Sequence, residues 1–522
     1  MHPTSVAHYF AILAACLPVT LAAIGPVTSL RVFNADVNPD GYRRKAATAG
    51  GAVTGPLIVG QKGDKFRINL INQLSEASMW KSTSIHWHGF FMKGTQWADG
   101  PAFVSQCPIA KDNSFLYEFN AGEQAGTFWY HSHLQAQYCD GLRGPMVVYN
   151  PRDPHRRLYD VDNEGTVITL ADWYHVPSRR NAKIPEFDST LINGLGRYYK
   201  NKQKTPLAVI TVERGKRYRM RLVSITCDPN YTFQVDKHTD LTVIEVDGVD
   251  HKPIVVDSIQ IFAGQRYSFI LNANQKIDNY WIRANPNYHI TGFENGINSA
   301  ILRYRGALDR DPTTSQDKIR NPLKEQNLIP LDNTPAPGKP VPGGADINID
   351  LRFSYPTSPG DTFYINGKSF KSPDLAVLLQ ILNGNRDVLS YVPEGLVVPL
   401  ARNKVVELTF NGGVDHGPHP IHLHGHTFHV VRSAGTSNYN FKNPPIRDVV
   451  SAGNSGDRVT IRFVTDNPGP WILHCHIDWH LVTGFEMLFV EDLPNIPTTI
   501  QGPPDAWKKL CPIYHALDHS DL

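Results

Sequence analysis

Four His-x-His stretches, two near the start of the chain and two near its end, constrain the fold more than any other sequence feature. They occupy residues 86–88, 131–133, 422–424 and 474–476, and each follows an apolar or aromatic run typical of a β-strand. Alternate side chains of a strand share a face, so each stretch would project two imidazoles together, roughly 6–7 Å apart at their origins. That separation suits neighbouring metal ions better than one tight chelate.

The last stretch, HCHIDWH at 474–480, adds a cysteine to the histidines. If residues 471–477 form a strand, His474 and His476 point to one face and Cys475 points to the other. Imidazole and thiolate are common ligands of copper and zinc. This strand could therefore contact two different metal sites, one on each face.

The ligand types favour copper. Zinc sites use three or four ligands, which leaves most of eight histidines unexplained. Eight imidazoles suit a cluster of three ions, and a separate His-Cys-His set suits a blue copper site. Chance assembly of all four stretches is negligible.

The stretches also repeat in order. HWHG at 86–89 matches HLHG at 422–425, and HSH at 131–133 matches HCH at 474–476. The separations within the two halves are similar, which indicates duplicated first and last domains with a composite site between them.

The rest of the chain predicts an all-β protein. Runs such as KFRINLINQL (65–74) and KVVELTFN (404–411) alternate with turns, Gly and Pro are plentiful at 40 and 39 residues, and only 19% of residues are charged. A Pro-rich polar segment at 308–345 reads as an extended connector, and 372–384 is a short helix candidate. We expect domains at 23–153, 154–325 and 326–522, the middle one without a metal-binding role.

Residues 1–22 resemble a secretory signal peptide, with an apolar core from Tyr9 to Leu17, although no Lys or Arg precedes that core. A membrane anchor is the alternative, but the apolar run is too short to span a bilayer. We expect a secreted, extracellular protein without a membrane partner. The net charge of +2 gives no indication of a nucleic-acid partner.

Of the six cysteines, Cys16 would leave with the signal peptide and Cys475 would bind metal. The remaining Cys107, Cys139, Cys227 and Cys511 allow two disulfides in an oxidising compartment, and spacing alone leaves three pairings open. Asn230-Tyr231-Thr232 is the one N-glycosylation sequon, so Asn230 is a candidate acceptor.

With these motifs in place, the chain resembles a fungal, basidiomycete-type laccase of the multicopper oxidase family from end to end. The resemblance extends to AIGPVTSL after the leader, QWADGPAFVSQCPI, HSHLQAQYCDGLRGP, RLVSITCDPNYTF and KKLCPIYHAL. It implies three cupredoxin-like Greek-key β-barrel domains and four copper ions. It also implies the disulfides Cys107–Cys511 and Cys139–Cys227. We expect a monomer, although the sequence does not determine the oligomeric state.

The resemblance assigns the copper ligands residue by residue. The type 1 copper would be held by His419, Cys475 and His480, and the type 2 copper by His86 and His422. The type 3 pair would be held by His88, His131, His133, His424, His474 and His476. His426 and His429 lie close by but match no ligand position.

The implied reaction is one-electron oxidation of phenols and aromatic amines, coupled to four-electron reduction of O₂ to two waters. His480 would accept the substrate electron, and Cys475 would pass it along the backbone to His474 and His476. Asp228 matches a carboxylate that hydrogen-bonds the substrate, and Asp99 one that serves protons near the cluster. Phe485 would occupy the axial position of the type 1 copper, where a non-ligating side chain raises the potential, and Ile477 would shield the opposite side.

Two alternatives remain at this point. The chain could be another multicopper oxidase: a ferroxidase would need several carboxylates around the type 1 histidines, and an ascorbate oxidase an axial Met. It could instead be a secreted copper electron-transfer protein without oxidase activity, which would leave eight histidines unexplained. Lignin phenols, pigment precursors and xenobiotics all fit as natural substrates.

Overall fold

The computed structural model describes residues 22–180, 184–201, 203–356 and 362–521. β-Strands dominate these ranges and form three consecutive units, each built around two main sheets. The predicted all-β class is therefore confirmed. The predicted leader lies outside the described residues except for Ala22. None of the described helices has the length and apolar character needed to cross a membrane.

The first unit carries the two N-terminal histidine stretches. Its strands are β1 (Val27–Val37), β2 (Arg44–Ala49), β3 (Ile58–Gln61), β4 (Lys65–Gln73), β5 (Ile85–His88), β6 (Ser114–Asn120), β7 (Gly126–Ser132) and β8 (Arg143–Tyr149). One sheet has the order β2-β1-β4-β6, and the other, which bears the histidines, has the order β3-β8-β7-β5.

The middle unit follows the predicted boundary after residue 153, which falls between β8 and the next strand. Its strands are β9 (Val167–Trp173), β10 (Ser189–Ile192), β11 (Leu195–Gly196), β12 (Val209–Val212), β13 (Arg217–Ser224), β14 (Tyr231–Val235), β15 (Leu241–Val246), β16 (Val249–Val256), β17 (Ile259–Ile261), β18 (Arg266–Asn272), β19 (Asn279–Pro286) and β20 (Ser299–Tyr304). They form sheets of order β11-β10-β9-β13-β18-β15-β16 and β12-β20-β19-β14-β17.

The third unit carries the two C-terminal histidine stretches. Its strands are β21 (Ile347–Leu351), β22 (Phe353–Ser354), β23 (Tyr364–Ile365), β24 (Leu396–Leu400), β25 (Val405–Asn411), β26 (Pro420–Leu423), β27 (Phe428–Arg432), β28 (Ile446–Arg447), β29 (Val449–Ser451), β30 (Arg458–Val464), β31 (Gly469–Cys475) and β32 (Glu486–Glu491). The main sheets have the orders β21-β25-β30-β27-β28 and β24-β32-β31-β26-β29, and β22 pairs with β23.

The histidine-bearing sheets of the first and third units share one topology. In each, a parallel pair (β3 with β8, β24 with β32) is extended by two antiparallel strands (β7 and β5, β31 and β26). The register places His86 opposite His131 and His422 opposite His474. The repeated motifs in the sequence therefore correspond to repeated strand pairs in the fold.

Helices are few and lie mostly in the third unit. The predicted helix at 372–384 is present as α1 (Val377–Leu382), while α2 (Asp478–Leu481), α3 (Ile496–Thr499) and α4 (Asp505–His515) were not predicted. Helix α4 buries Trp507, Leu510 and Cys511, whose spacing places them on one face. Short 3₁₀ turns occur at Gln96–Ala98, Gln137–Asp140, Arg156–Leu158, Glu164–Thr166, Ser178–Arg180, Glu294–Gly296, Glu325–Asn327, Val388–Ser390, Val414–His416, Leu493–Asn495 and His519–Asp521.

The connector expected at 308–345 lies between β20 and β21 and contains a single 3₁₀ turn, so it is extended as predicted. It is held by buried arginines of the third unit. Arg447 donates to Glu325, and Arg462 donates to the carbonyl groups of Pro337, Lys339 and Val341. The predicted domain boundary after residue 325 falls inside this segment.

Apolar cores join the units around the histidine stretches. One core combines the first unit with α1, α4 and part of β31 and β32, and another combines Trp129, Cys227 and Phe485 from three different units. Two disulfides add covalent links, Cys107–Cys511 between the first unit and α4 and Cys139–Cys227 between the first and middle units. This is the pairing that the resemblance implied.

Candidate metal centre

Cys475, His419 and His480 come together in the third unit. Cys475 ends β31, His419 directly precedes β26, and His480 lies on α2. The Sγ atom of Cys475 lies 3.5 Å from Nδ1 of His419 and 3.8 Å from Nδ1 of His480, and the two nitrogens are 3.1 Å apart. All three side chains are buried, and Cys475 is the one free cysteine of the described chain. A thiol and two imidazoles that meet in this way match the trigonal donor set of a blue copper site.

Burial sets the protonation of this trio. It lowers the pKa of His419, and burial together with the neighbouring His419 lowers the pKa of His480 further, so both imidazoles are neutral and can donate a lone pair. Burial also raises the pKa of the Cys475 thiol well above its usual range. The thiolate therefore needs a cation beside it, which a bound metal ion supplies.

Phe485 packs against this trio, as the resemblance implied for an axial residue. Its ring centroid lies 5.3 Å from that of His419, and the ring stacks on Phe363 at 4.9 Å. The Cys475 N–H donates to the Phe485 carbonyl group over 3.0 Å, so Phe485 is anchored to the same strand pair. A phenyl ring has no lone pair to offer a metal. Ile477, two residues after Cys475, is also buried.

The eight histidines of the four stretches converge where the first and third units meet. The rings of His86 and His424 stack at 4.0 Å, and those of His88 and His422 also stack at 4.0 Å, so each contact joins the two units. His133 is partly buried and the other histidines of the group are buried. The full set is His86, His88, His131, His133, His422, His424, His474 and His476.

Within this group, overlapping trios bring one ring nitrogen each to within 4.8 Å of one another. The trios are His86 with His88 and His131, His86 with His422 and His424, and His133 with His424 and His474. Because the trios share members but differ in composition, the group can hold several neighbouring ions rather than one.

The outward nitrogens of these rings are fixed by carbonyl groups. Nδ1 of His86 lies 2.8 Å from the Asp99 carbonyl oxygen, and Nδ1 of His422 lies 2.8 Å from that of Asp448. A carbonyl group only accepts, so these Nδ1 atoms carry the proton and Nε2 carries the lone pair. The Nε2 atoms of His86, His131, His133 and His422 are buried and have no partner within the described residues. Buried acceptors without partners are costly, and metal ions at these positions would satisfy them.

The protonation states also fit metal binding. Burial, reinforced by neighbouring imidazoles, lowers the pKa of most of these rings far below the usual histidine value. For His474, burial lowers the pKa to about 3. Neutral imidazoles are the form that binds a cation, so the ring cluster does not have to lose protons before metal enters.

His88 is held differently from the other rings. Its Nε2 lies 3.3 Å from Oδ1 of Asp448, and its Nδ1 faces His476 Nε2 at 3.1 Å. Asp448 is in turn held by both terminal nitrogens of Arg266, at 2.6 and 2.7 Å. Each of the three units thus contributes one member to this His–Asp–Arg chain, which points the Nδ1 lone pair of His88 inward.

The two candidate sites are joined through β31. His474 contributes to the ring cluster on one side of this strand end and Cys475 contributes to the trio on the other, as the alternation of a strand requires. His476 follows, and its N–H donates to the Pro420 carbonyl group next to His419. A path of a few covalent bonds therefore connects the trio to the ring cluster.

Asp99 lies beside the ring cluster. Its Oδ2 is 2.9 Å from Nδ1 of His424, and its Oδ1 is 3.3 Å from Nδ1 of His86. Burial raises the pKa of this carboxyl, while His86 lowers it. Asp99 is therefore placed to exchange a proton with groups at the cluster.

Asp228 lies near the trio, on the segment that joins β13 to β14. Its Oδ2 accepts a 2.7 Å hydrogen bond from the Tyr288 hydroxyl group, and its N–H donates to Asp172 over 3.1 Å. The adjacent Cys227 carbonyl group accepts from the N–H of Asp478, which belongs to the same helix as His480. Burial raises the pKa of Asp228 to about 7.

The glycosylation expectation does not fit the structure. Asn230 is only 5% exposed, and its side-chain oxygen accepts a 3.0 Å hydrogen bond from Gln260. A glycan needs an accessible amide, so burial argues against a carbohydrate at Asn230 in the folded chain.

Sequence reasoning did not find Asp448, Arg266 or Tyr288. A signal existed for Asp448, because Arg447-Asp448 interrupts an apolar run at 446–450, and charges inside a buried strand are usually paired. No local pattern marks Arg266 or Tyr288, whose partners lie 182 and 60 residues away.

Comparisons with known proteins agree with this geometry. Models of the multicopper oxidase family match residues 31–153, 164–307 and 370–495. Laccase-1 of Pleurotus ostreatus is 58% identical over 96% of this chain and 95% of its own length. The crystal structure of the laccase from Botrytis aclada superposes with a TM-score of 0.81 at 31% identity, covering 96% of this chain and 95% of that one. Fet3p, a multicopper oxidase that functions in iron import, also gives a TM-score of 0.81, at 25% identity over 95% of this chain and 96% of that one.

Proposed function

The chain belongs to the laccase group of the multicopper oxidase family, and from that premise we propose how its own residues divide the reaction between two copper sites. The overall reaction is the one-electron oxidation of phenols and aromatic amines coupled to the four-electron reduction of O₂ to two waters. One observation carries the proposal: a buried Cys–His–His trio and a cluster of eight histidines are linked by a single strand end, His474-Cys475-His476. Bound copper supplies reversible one-electron chemistry at both places.

We assign the trio His419, Cys475 and His480 to a single type 1 copper. The distances of 3.5 and 3.8 Å from sulfur to the two nitrogens leave room for one ion between them. Phe485 offers no fourth ligand, and an apolar neighbour without a lone pair favours the reduced state of the site. This assignment predicts a high reduction potential.

We assign the ring cluster to three further coppers. His86 and His422 would hold the type 2 ion, and His88, His131, His133, His424, His474 and His476 would hold the type 3 pair. The buried, unpartnered Nε2 atoms of His86 and His422 support the first assignment. The pairs His424–His474 and His476–His88, each with nitrogens 3.1 Å apart, support the second.

At the substrate end, His480 receives the electron and Asp228 receives the proton. Oxidation of a phenol to its radical releases both, and a carboxylate within hydrogen-bond reach lowers the barrier to proton loss. Cys475 then connects His480's site to His474 and His476 through the backbone, over a distance on the order of 10 Å. At the cluster, Asp99 supplies protons for water formation, because its carboxyl contacts His424 and burial raises its pKa.

The ferroxidase alternative has one supporting observation. Asp415 lies close enough to Asp228 to raise its pKa further, so two carboxylates approach the trio from different segments. Against it stands the Tyr288 hydroxyl group, which already occupies one oxygen of Asp228 and leaves fewer oxygens for a hard cation. A copper carrier without oxidase activity would have no use for the eight-histidine cluster.

Copper analysis combined with oxygen uptake tests the proposal. We expect four coppers per chain, oxygen consumption with 2,6-dimethoxyphenol and with an aromatic amine, and little with Fe²⁺. One copper per chain without oxygen uptake would establish an electron carrier. Faster uptake with Fe²⁺ than with the phenol would establish a ferroxidase.

Asp228→Asn tests the proton acceptor. In the parent protein, the carboxylate ionises as the pH rises through about 7, so oxidation of a phenol relative to hexacyanoferrate(II), which releases no proton, increases over that interval. The variant cannot ionise at this position, and its ratio stays flat with pH. An unchanged pH dependence in Asp228→Asn would remove Asp228 from this role.

We further propose that the protein is secreted and monomeric. Its presence in the culture medium tests secretion, and its mass by analytical sedimentation tests whether it is a monomer.

A further inference from the structure

Tyr288 joins Asp228 by a side-chain hydrogen bond that no part of the reaction assigned above requires. The residue follows β19, and its hydroxyl group donates to Oδ2 of Asp228 over 2.7 Å. Both side chains are partly exposed, so they lie where solvent and small molecules can reach them. A hydroxyl donor bonded to a carboxylate is a strong and directional contact.

This bond gives the two carboxylate oxygens of Asp228 different environments. Oδ2 is occupied by Tyr288, while Oδ1 has no hydrogen-bond partner within the described residues and is not sealed from solvent. The main chain is fixed as well, because the N–H of Asp228 donates to Asp172 and the preceding Cys227 is in a disulfide. The carboxylate therefore presents a single free oxygen in one orientation.

The ring of Tyr288 is itself held in place. It packs edge-on against Phe187, with ring centroids 5.6 Å apart, and Phe187 is fully buried. The neighbouring His289 packs on the same Phe187 ring at 5.4 Å, and its Nδ1 lies 3.3 Å from the Glu186 carboxylate. Tyr288 is thus part of a packed wall, and its hydroxyl group approaches Asp228 from a fixed direction.

We propose that Tyr288 is a positioning and specificity-determining residue, which turns Oδ1 of Asp228 toward the substrate and so favours donors that carry a hydroxyl or amino hydrogen. The inference rests on the proposed function and refines its substrate end. In the step concerned, the O–H bond of a phenol breaks, its proton moves to Oδ1, and its electron leaves through His480, which gives a neutral phenoxyl radical. A donor without such a hydrogen gains nothing from the arrangement.

The groups around Asp228 show how the Tyr288 hydrogen bond acts on its carboxylate. Burial raises the pKa of Asp228, Asp172 and Asp415 raise it further, and the Tyr288 hydrogen bond lowers it. The other titratable groups whose own pKa feels the Asp228 charge are Tyr174, Tyr231 and Cys475. Among the described residues, the Tyr288 hydroxyl group is the one side-chain contact of Asp228 that stabilises its ionised form.

Tyr288→Phe removes the hydroxyl group and leaves the packed ring. With the copper-loaded enzyme, we expect kcat/KM for 2,6-dimethoxyphenol to fall about tenfold, the equivalent of one charge-assisted hydrogen bond, mostly through KM. The rate with hexacyanoferrate(II) should stay within about twofold of the parent, a difference too small for a lost hydrogen bond. The midpoint of the phenol pH profile should move upward, because the ionised carboxylate has lost a donor.

Tyr159→Phe is the matched control. Tyr159 donates to Asp153 over 2.6 Å in the same kind of Tyr–Asp pair, where the first unit joins the middle unit, and the pair has no contact with Asp228 or His480 among the described residues. Both substrates should react with this variant at parental rates. In the double variant Asp228→Asn/Tyr288→Phe, the phenol rate should equal that of Asp228→Asn alone, because Tyr288 acts through Asp228.

The outcomes separate this inference from the proposed function. Equal losses with both donors in Tyr288→Phe, or no loss with either, would overturn the positioning role, as would additive losses in the double variant. If the parent enzyme consumed no oxygen with the phenol at all, the proposed function would fail instead. A selective loss with the phenol and an upward shift of its pH profile would establish the role.

Discussion

The histidine-bearing strand pairs of the first and third units are built alike but do different work. In each pair, the first histidine (His86 or His422) donates from Nδ1 to the carbonyl group of an aspartate in its own unit, Asp99 or Asp448. That aspartate's carboxylate then reaches a histidine of the opposite unit. The two halves hold each other's histidines, so the eight-ring cluster is complete only when both units are docked.

The halves differ at the three positions that form the Cys–His–His trio. The residues of the first unit that correspond to His419, Cys475 and His480 by their offset from the histidine stretches are Thr83, Ser132 and Gln137. There, Thr83 and Ser132 both donate to the Gln137 side-chain oxygen, over 2.7 and 2.6 Å. The same strand geometry thus accommodates either a thiol with two imidazoles or a closed hydrogen-bond network. Under the proposed assignment, the identity of these three side chains decides which unit takes in electrons.

A second difference lies directly across the sheet from one histidine of each half. Arg143 stands opposite His131, and Glu486 stands opposite His474. Arg143 is paired with Asp172 at 3.1 Å, whereas Glu486 is buried and has no hydrogen bond or ion pair within the described chain. Burial raises the pKa of Glu486 to about 8. In the first unit, the charge of Arg143 next to the cluster is balanced by Asp172. In the third unit, Glu486 carries no charge at neutral pH because it keeps its proton.

Replacing the central residue of each half gives the largest expected contrast. Cys475→Ser removes the thiolate of the type 1 site, so we expect loss of the blue absorbance and of substrate oxidation, by far more than the ~10–100-fold typical of a lost supporting contact. Ser132→Ala removes only one donor to Gln137 and should leave both properties near parental. Absorbance, copper content and oxygen uptake measure the contrast, and retained phenol oxidation in Cys475→Ser would refute the assignment.

The two aspartates should differ next. Asp448→Asn leaves Arg266 without its main partner in a buried site, so we expect a loss of about 3–5 kcal/mol in stability and weaker copper binding by ~10–100-fold at the cluster. Asp99 has no arginine partner, so Asp99→Asn should keep stability and copper while oxygen turnover slows. Thermal unfolding and copper titration measure both variants. Equal destabilisation by the two substitutions would show that Arg266 is not what distinguishes the halves.

Glu486→Gln tests whether Glu486 is protonated in the folded chain, through the dependence of stability on pH. The pKa of this acid is higher in the folded chain than its ordinary 4.5, so the folded state keeps a proton that the unfolded state loses. The parent therefore loses stability relative to the variant as the pH rises from about 4.5 through 8, on the order of 4 kcal/mol in total. Unfolding temperatures at pH 5 and pH 9 reveal the difference.

Arg143→Gln is the counterpart on the first unit. It leaves Asp172 without its arginine partner and should destabilise the chain by about 3–5 kcal/mol at both pH values.

If Glu486→Gln changed stability by the same amount at pH 5 and pH 9, the Glu486 carboxyl would not be held protonated in the folded chain.

The sequence predicts which histidines come together, but it does not predict the residues that hold them and Asp228 in place. Alternation along a strand is a local rule, so the four stretches predict that His86, His88, His422 and His424 meet, and the rings do stack across the two units. Arg266 with Asp448 and Tyr288 with Asp228 depend on which units dock, and no local pattern encodes that. Outside the helix candidate at 372–384 the sequence predicts β-structure, so helix α4 differs from the prediction, although Trp507, Leu510 and Cys511 have helical spacing.

The smallest expected contrast concerns the residue ten positions after each central one, Phe485 in the third unit and Leu142 in the first. Both carbonyl groups accept from the N–H of the central residue, Cys475 or Ser132, so the two positions are equivalent in the fold. Phe485→Met brings a thioether toward the trio, which should lower the reduction potential by at least ~59 mV, a tenfold change in a one-electron equilibrium. Leu142→Met should leave the potential unchanged, since no thiolate lies beside it. Redox titration of the blue absorbance measures both, and an unchanged potential in Phe485→Met would show that residue 485 does not face the copper.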